Sequence, residues 1–300
     1  MSFAEYIYTV VLKPKALKAM ANAALLRIIP ETVEIGPAIL YLDLADPVIS
    51  GAITLGVYER SELTFLQKHC HSDMTMVDIG ANVGLYTILA MHRMDTNGRI
   101  IAIEPHPQTY TFLQKNIAAN EARAKACPRV DALNLAATSH RGQHKLHINP
   151  ENRGDNRLYK GTYQGKVEEW NTLPIEGYPV DDMLAELGIH EVNFVKADIQ
   201  GYEQNAVSGF KKILSRSKNV ILMSEFWPSG LKEAGGSATE YLEMLSCLGF
   251  TLYELNEKPL GTITPLNDWD RLIARLPGRK YMNIIGVKGY DLSKDAEPRK

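Results

Sequence analysis

The sequence predicts an α/β fold built on a mostly parallel sheet, and three observations predict it. From Met76 onward, apolar runs of strand length alternate with helical stretches, the pattern of parallel strands joined by crossover helices. Runs such as Val220-Ile-Leu-Met223 are apolar at every position, as in a sheet covered on both faces. An apolar strand at 76–79 runs into the turn Gly80-Ala-Asn-Val-Gly84 and then a helix, the local geometry of a nucleotide-binding crossover.

The elements follow in order. Leu17, Met20, Ala21, Ala24, Leu25 and Ile28 recur at helical spacing between Pro14 and Pro30, which predicts an amphipathic N-terminal helix. With two short β-like runs at 39–44 and 52–57, this helix forms an extension over residues 1–60 that packs on the main domain. Strands are predicted at 76–79, 100–103, 130–135, 194–197, 220–224, 251–255 and 282–287. Helices are predicted at 85–94, 108–120, 180–187, 202–214 and 239–248. Together they place one domain over 61–290, followed by a charged tail at 291–300. The stretch 149–178, rich in Asn, Gly, Glu and Tyr, breaks the alternation and reads as a functional loop or lid.

Composition narrows the function. With 33 Lys plus Arg against 35 Asp plus Glu, the formal charge is −2, so no basic field draws the chain to nucleic acid or anionic lipid. Cys70, Cys127 and Cys247 are an odd number without a C-x-x-C pair, which predicts buried thiols in a reducing compartment and no zinc or redox centre. No apolar run approaches the roughly 18 residues of a membrane span, and the N-terminus lacks a signal-peptide pattern, so the expected location is the cytoplasm.

Charge also selects the cofactor. Glu104 closes the second strand twenty residues after Gly84, where a carboxylate accepts hydrogen bonds from both hydroxyls of a ribose. A dinucleotide would set its pyrophosphate against the turn, and there Asp78, and Asn82 in place of the middle glycine, are unfavourable. S-adenosylmethionine brings an ammonium and a sulfonium instead, for which a carboxylate and an amide oxygen are matched partners. Alone, the turn also fits an ordinary tight strand-to-helix connection; its coincidence with Asp78 and Glu104 favours the cofactor.

At Val77-Asp-Ile-Gly-Ala-Asn-Val-Gly-Leu-Tyr-Thr87 the sequence resembles FkbM-type S-adenosylmethionine-dependent methyltransferases. The resemblance continues through Gly56-Val-Tyr-Glu59, Ile103-Glu-Pro-His-Pro107, Leu113 to Asn120, Val180-Asp-Asp182, Phe194-Val-Lys-Ala-Asp-Ile-Gln-Gly-Tyr-Glu203 and Met223-Ser-Glu225. It covers about residues 40–287 and implies a class I methyltransferase fold, a seven-stranded sheet whose last strand is antiparallel, and methylation of hydroxyl oxygens. Two departures stand out. Gln200 replaces the acid usual before the glycine that follows strand four, and 149–178 matches only a loose Asn-rich cluster, Asn152-Arg-Gly-Asp-Asn156.

By analogy with that fold, Asp78, Gly80 and Asn82, with Gly84 completing the turn, hold the methionine end of the cofactor, and Glu104 holds the ribose. Thr87 lines the same turn or is an ordinary helical residue. Asn134 and Ala136 lie where the adenine passes, and Tyr58 and Glu59 fold over the cofactor as the resemblance implies. An alcohol is a poor nucleophile while protonated, so a base assists the transfer. Asp198, at the end of strand four, is the leading candidate, with Glu225, Lys196 and Glu203 behind it. Asp198 also suits a cap for the helix starting near Tyr202. His106 and His140 are runners-up as bases, and no metal is expected, magnesium requiring that Asp198, Glu203 and Glu225 converge. Trp170, Trp227 and Trp269 offer surfaces for a sugar ring but more ordinarily pack.

The function expected is O-methylation of a hydroxyl on a carbohydrate, glycolipid or hydroxylated natural product, with a homo-oligomer left open. Two alternatives remain: an NAD-dependent dehydrogenase, which lacks its Gly-x-Gly-x-x-Gly turn here, and a scaffold that keeps the fold without turnover, suggested by Gln200.

Overall fold

In the computed structural model, residues 29–292 are described, apart from 125, 151, 164, 165 and 168. The expected N-terminal helix, whose pattern ends at Ile28, and the charged tail from 293 lie outside the described residues.

The described chain enters as a hairpin, β1 (Thr32–Ile35) paired antiparallel with β2 (Ala38–Tyr41), whose turn takes Gly36 to φ +60°. Asn116 and Asn120 accept the N–H groups of Tyr41 (2.6 Å) and Ile39 (3.0 Å) and donate to the carbonyls of the same two residues. Two buried amides thus replace the neighbouring strand this edge lacks. The β-like run expected at 52–57 is instead helical, in α1 (Ile49–Thr54). The Asp46 carboxylate accepts the N–H groups of Val48 and Ile49 at 3.0 and 3.1 Å, which starts a helical turn that periodicity alone did not reveal.

After α2 (Arg60–His69) the alternation begins: β3 (Thr75–Ile79), α3 (Leu85–Met91), β4 (Arg99–Ile103), α4 (Pro107–Glu121) and β5 (Arg129–Leu133). A short strand β6 (Ala136–Ala137) leads to β7 (Gly142–Ile148), the small hairpin β8 (Thr162–Tyr163) with β9 (Lys166–Val167), and β10 (Asn171–Tyr178). The series resumes with α5 (Val180–Glu186), β11 (Phe194–Ala197), α6 (Glu203–Ser208), α7 (Lys211–Arg216), β12 (Val220–Phe226), α8 (Pro228–Glu233) and α9 (Ala238–Cys247). It closes with β13 (Thr251–Glu257), β14 (Leu260–Pro265), α10 (Trp269–Arg275) and β15 (Met282–Lys288).

The main sheet has the order β14-β13-β15-β12-β11-β3-β4-β5. All seven expected strands are in it, and β15 runs antiparallel to both neighbours as the resemblance implied. The eighth, β14, is a correction. Its Gly261 and Pro265 read as breakers, yet it is an edge strand that pairs only with β13, where a proline is tolerated. The helix expected over 202–214 is broken at Gly209, where a Cβ would meet the Thr138 carbonyl oxygen at 2.1 Å.

The polar stretch 149–178 is also corrected, because it is no free loop. Its last eight residues are β10, paired with β7 over seven positions, and their polarity is that of strands with one solvated face. Arg157 anchors the rest. Only 1 % exposed, its guanidinium holds Asp155 at 2.6 Å and stacks near the Trp170 and Trp227 rings. Of the three cysteines only Cys70 is fully buried; Cys127 is half-buried and Cys247 is exposed, so the expectation of three buried thiols holds for one.

The chain winds outward from β3 to β5 on one side and from β11 to β12 on the other. The crevice between these halves, at the carboxyl ends of β3 and β11, is where such sheets bind ligands.

Candidate active site

That crevice opens into a cavity of about 1090 Å³, at the top of the size range of ligand sites. Its floor is the glycine turn. Gly80, Asn82 and Gly84 take φ of +78°, +52° and +94°, and the N–H groups of Gly80 and Ala81 both donate to the Ile103 carbonyl, at 2.9 and 3.0 Å. A Cβ on Gly80 would lie 2.1 Å from the Asp198 carbonyl oxygen, so only glycine lets β3 and β11 close at this point. Gly84 stands behind the wall, against Leu113, and starts α3.

Glu104 lines the cavity and is 7 % exposed. It accepts the N–H of Asn82 at 3.0 Å and of His106 at 2.9 Å, each oxygen keeping a lone pair for a ligand. Burial pushes its carboxyl up to about 7, against the two backbone donors. Burial raises the Glu59 carboxyl too, and Asp198 adds to the effect. The folded protein therefore binds more protons than the unfolded chain above the ordinary carboxylate range, and its stability falls with rising pH through these groups. Without ligand, the melting temperature is expected to drop by on the order of 5 °C between pH 5 and pH 8 in a calorimetric scan. A flat profile would show that these carboxyls titrate normally.

Asp78 and Thr87 lie beneath the turn and not on the cavity wall. Both are wholly buried, with the Thr87 hydroxyl donating to Asp78 at 2.7 Å and the other Asp78 oxygen left without a hydrogen bond. Asn134 is exposed and donates to the carbonyls of Glu104 and Pro105, so it holds the strand end, whereas Ala136 does line the cavity. Tyr58 and Glu59 line the cavity as well; Glu59 sits at φ +41° and accepts the Tyr86 hydroxyl at 2.6 Å. Tyr86 was not legible as a site residue, because inside a helix only its facing partner identifies it.

Around β11 the expected bases separate. Lys196 donates to the Gly80 carbonyl at 3.0 Å and lies 3.5 Å from Asp198 and 3.9 Å from Asp78. Burial alone would lower its pKa, but Asp198, Asp78 and Glu59 hold it above the usual lysine range, so it is a fixed cation and no base. Glu203 is turned away from the cavity: it accepts the N–H groups of Ile199 (2.9 Å) and Gly201 (3.2 Å) in the loop before α6, and the capping role considered for Asp198 is not realised, α6 having no side-chain cap. Asp198, with its side chain 18 % exposed, and Glu225 do reach the cavity, so the three acids do not converge there. Burial, with Asp198 second, raises the Glu225 carboxyl well above its ordinary value.

Gln200 joins these two. At φ +56°, with its carbonyl accepting the Tyr159 hydroxyl, it donates Nε2 to Asp198 at 3.0 Å and to Glu225 at 3.3 Å. Neither histidine candidate reaches the cavity wall. His106 caps α4 by accepting the Thr109 N–H, and burial lowers its pKa; His140 is exposed beside His144. Trp227 lines the cavity and donates to the Gly278 carbonyl at 2.7 Å, Trp170 stacks on Arg157, and Trp269 packs against the core.

A family model described as the methyltransferase FkbM domain matches residues 78–252, the span that carries the turn, Glu104, Asp198 and Glu225. The chain belongs to this family. Among similar proteins, this FkbM-family chain is 27 % identical over 225 residues to methyltransferase sdnD of Sordaria araneosa, covering 62 % of this chain and 84 % of that one. It is 23 % identical over 164 residues to the hexuronic acid methyltransferase AglP of Haloferax volcanii, covering 55 % and 61 %. Among solved structures, methyltransferase FkbM from Methylobacillus flagellatus aligns with a TM-score of 0.43 at 14 % identity, over 92 % of this chain and 60 % of that one. No helix among the described residues is long and apolar enough to cross a membrane.

Proposed function

We propose that this FkbM-family methyltransferase moves a methyl group from S-adenosylmethionine to a hydroxyl oxygen of a small acceptor, a carbohydrate, glycolipid or hydroxylated natural product. The observation that carries the reading is Asp198, a carboxylate on the cavity wall held between Lys196 and Gln200 beside the glycine turn. The residues suit the cofactor. Glu104 offers free lone pairs for ribose hydroxyls, and on the cavity wall carboxylates outnumber cationic side chains, as an ammonium and a sulfonium favour.

S-adenosylmethionine supplies an electrophilic methyl when bound. The protein's part is to orient the acceptor in line, exclude water and take the hydroxyl proton on Asp198 as the new C–O bond forms and the C–S bond breaks. A relative named for a hexuronic acid supports a carbohydrate acceptor.

Calorimetric titration is expected to show S-adenosylhomocysteine binding and no NAD binding, and labelled S-adenosylmethionine with an extract of source cells is expected to label a hydroxylated product. Binding of NAD alone would make the protein a dehydrogenase. Cofactor binding with no methyl transfer to any pool would make it a scaffold.

A further inference from the structure

We propose that Glu62, Asn283 and Glu225 build an acceptor subsite for a ring with neighbouring hydroxyl or ammonium donors and no carboxylate, a neutral or amino sugar. The inference rests on the methyltransferase reading and concerns the end of the cavity away from Glu104. Glu225 and Asn283 are directly paired across the antiparallel strands β12 and β15, so their side chains stand on one face. The Asn283 amide donates to Glu62 at 2.7 Å, although Glu62 comes from α2, 221 residues away in sequence. Gln200 continues the row, donating to Glu225 and then to Asp198. Gln200 thereby joins the expected base to Glu225, while Asn283, opposite Glu225 on the next strand, holds Glu62.

Two atoms in this row have no hydrogen bond. They are Oε2 of Glu225 and Oε2 of Glu62, on residues 3 % and 7 % exposed that both line the cavity. Buried carboxylate oxygens without donors are costly, and among the described residues the protein supplies none. A ligand with adjacent donors satisfies both, which places a neighbouring hydroxyl within the row that ends at Asp198. A carboxylate on the ligand carries no donor for these oxygens, and burying its charge beside them is costly. The deeper cations are already engaged, Lys196 by the Gly80 carbonyl and Asp198, and Arg157 by Asp155. Arg60 is exposed and Arg279 is 44 % exposed, so both stand at the mouth, where water screens them. This chain's acceptor would thus differ from the hexuronic acid named for the Haloferax relative.

The test uses the full-length protein loaded with S-adenosylhomocysteine and three matched probes: methyl glucoside, methyl glucosaminide and methyl glucuronide. Saturation-transfer NMR is expected to detect the first two, with the glucuronide at least about tenfold weaker. Glu62→Gln is expected to weaken the glucosaminide about tenfold and to narrow the glucuronide's deficit, with S-adenosylhomocysteine affinity unchanged as a report of folding. Glucuronide binding equal to or stronger than the glucoside, or no glycoside binding to loaded protein, would overturn the subsite. Failure of S-adenosylhomocysteine to bind would overturn the methyltransferase reading beneath it, a result visible before any glycoside is added.

Discussion

Replacing Asp198 with asparagine is expected to lower kcat by about 10²–10⁴-fold, the usual worth of a positioned base, while S-adenosylhomocysteine binding stays within a few-fold. The substitution keeps the shape and an oxygen for the Gln200 amide; it removes the site that takes the proton and one charge beside Lys196, which the Gly80 carbonyl and Asp78 still hold. Because Glu203 rather than Asp198 accepts the N–H groups of the loop after β11, the loss should not come from unfolding. Single-turnover rates with the identified acceptor, alongside calorimetric cofactor affinity, separate the two. Turnover unchanged in Asp198→Asn would remove the residue from the chemistry. Turnover and cofactor affinity falling together would make it a binding residue.

The largest structural effect is expected at Gly80. Gly80→Ala adds a Cβ at φ +78° into space held by the Asp198 carbonyl, 2.1 Å away, and the neighbouring obstacle is backbone on a buried strand end. Left-handed backbone and forced separation of β3 from β11 together should cost about 3 kcal/mol. The urea midpoint should fall, and S-adenosylhomocysteine affinity should fall with it, because the same turn positions the Glu104 partner Asn82. Gly84→Ala is the comparison. Its φ of +94° carries the same backbone penalty, but its nearest obstacle is the far end of Leu113, a side chain that can rotate. A smaller loss at Gly84 than at Gly80 supports the close approach as the cause; equal losses would assign the effect to backbone conformation alone.

Much of this site is legible in the chain because its signals are local. The apolar strands, the turn with its glycines and Glu104 at the next strand end each depend on a few neighbouring residues, and the structure has every strand expected of the main sheet and positive φ at both glycines of the turn. The seven-strand expectation missed β14 for the converse reason. Gly261 and Pro265 are locally unfavourable in a strand, while the pairing with β13 that holds them there is tertiary. The α1 segment was misjudged because a single carboxylate, Asp46, starts the helix against an ambiguous apolar pattern.

Roles were harder to read than positions. Lys196, Asp198 and Glu203 sit within eight residues, and their types alone made each a candidate base. What separates them is the partner each one meets: the Gly80 carbonyl for Lys196, the Gln200 amide for Asp198 and two backbone N–H groups for Glu203. Likewise Glu62 and Asn283 carry no motif, and they become a pair only when α2 packs over β13 and β14 and brings Glu62 to Asn283 on β15. The sequence by itself determined the sheet, the turn and the charge of the cleft, since periodicity and backbone conformation are set by adjacent residues. Only the tertiary structure decided which carboxylate faces the cavity, because burial and hydrogen-bond partners depend on strands brought together from distant parts of the chain.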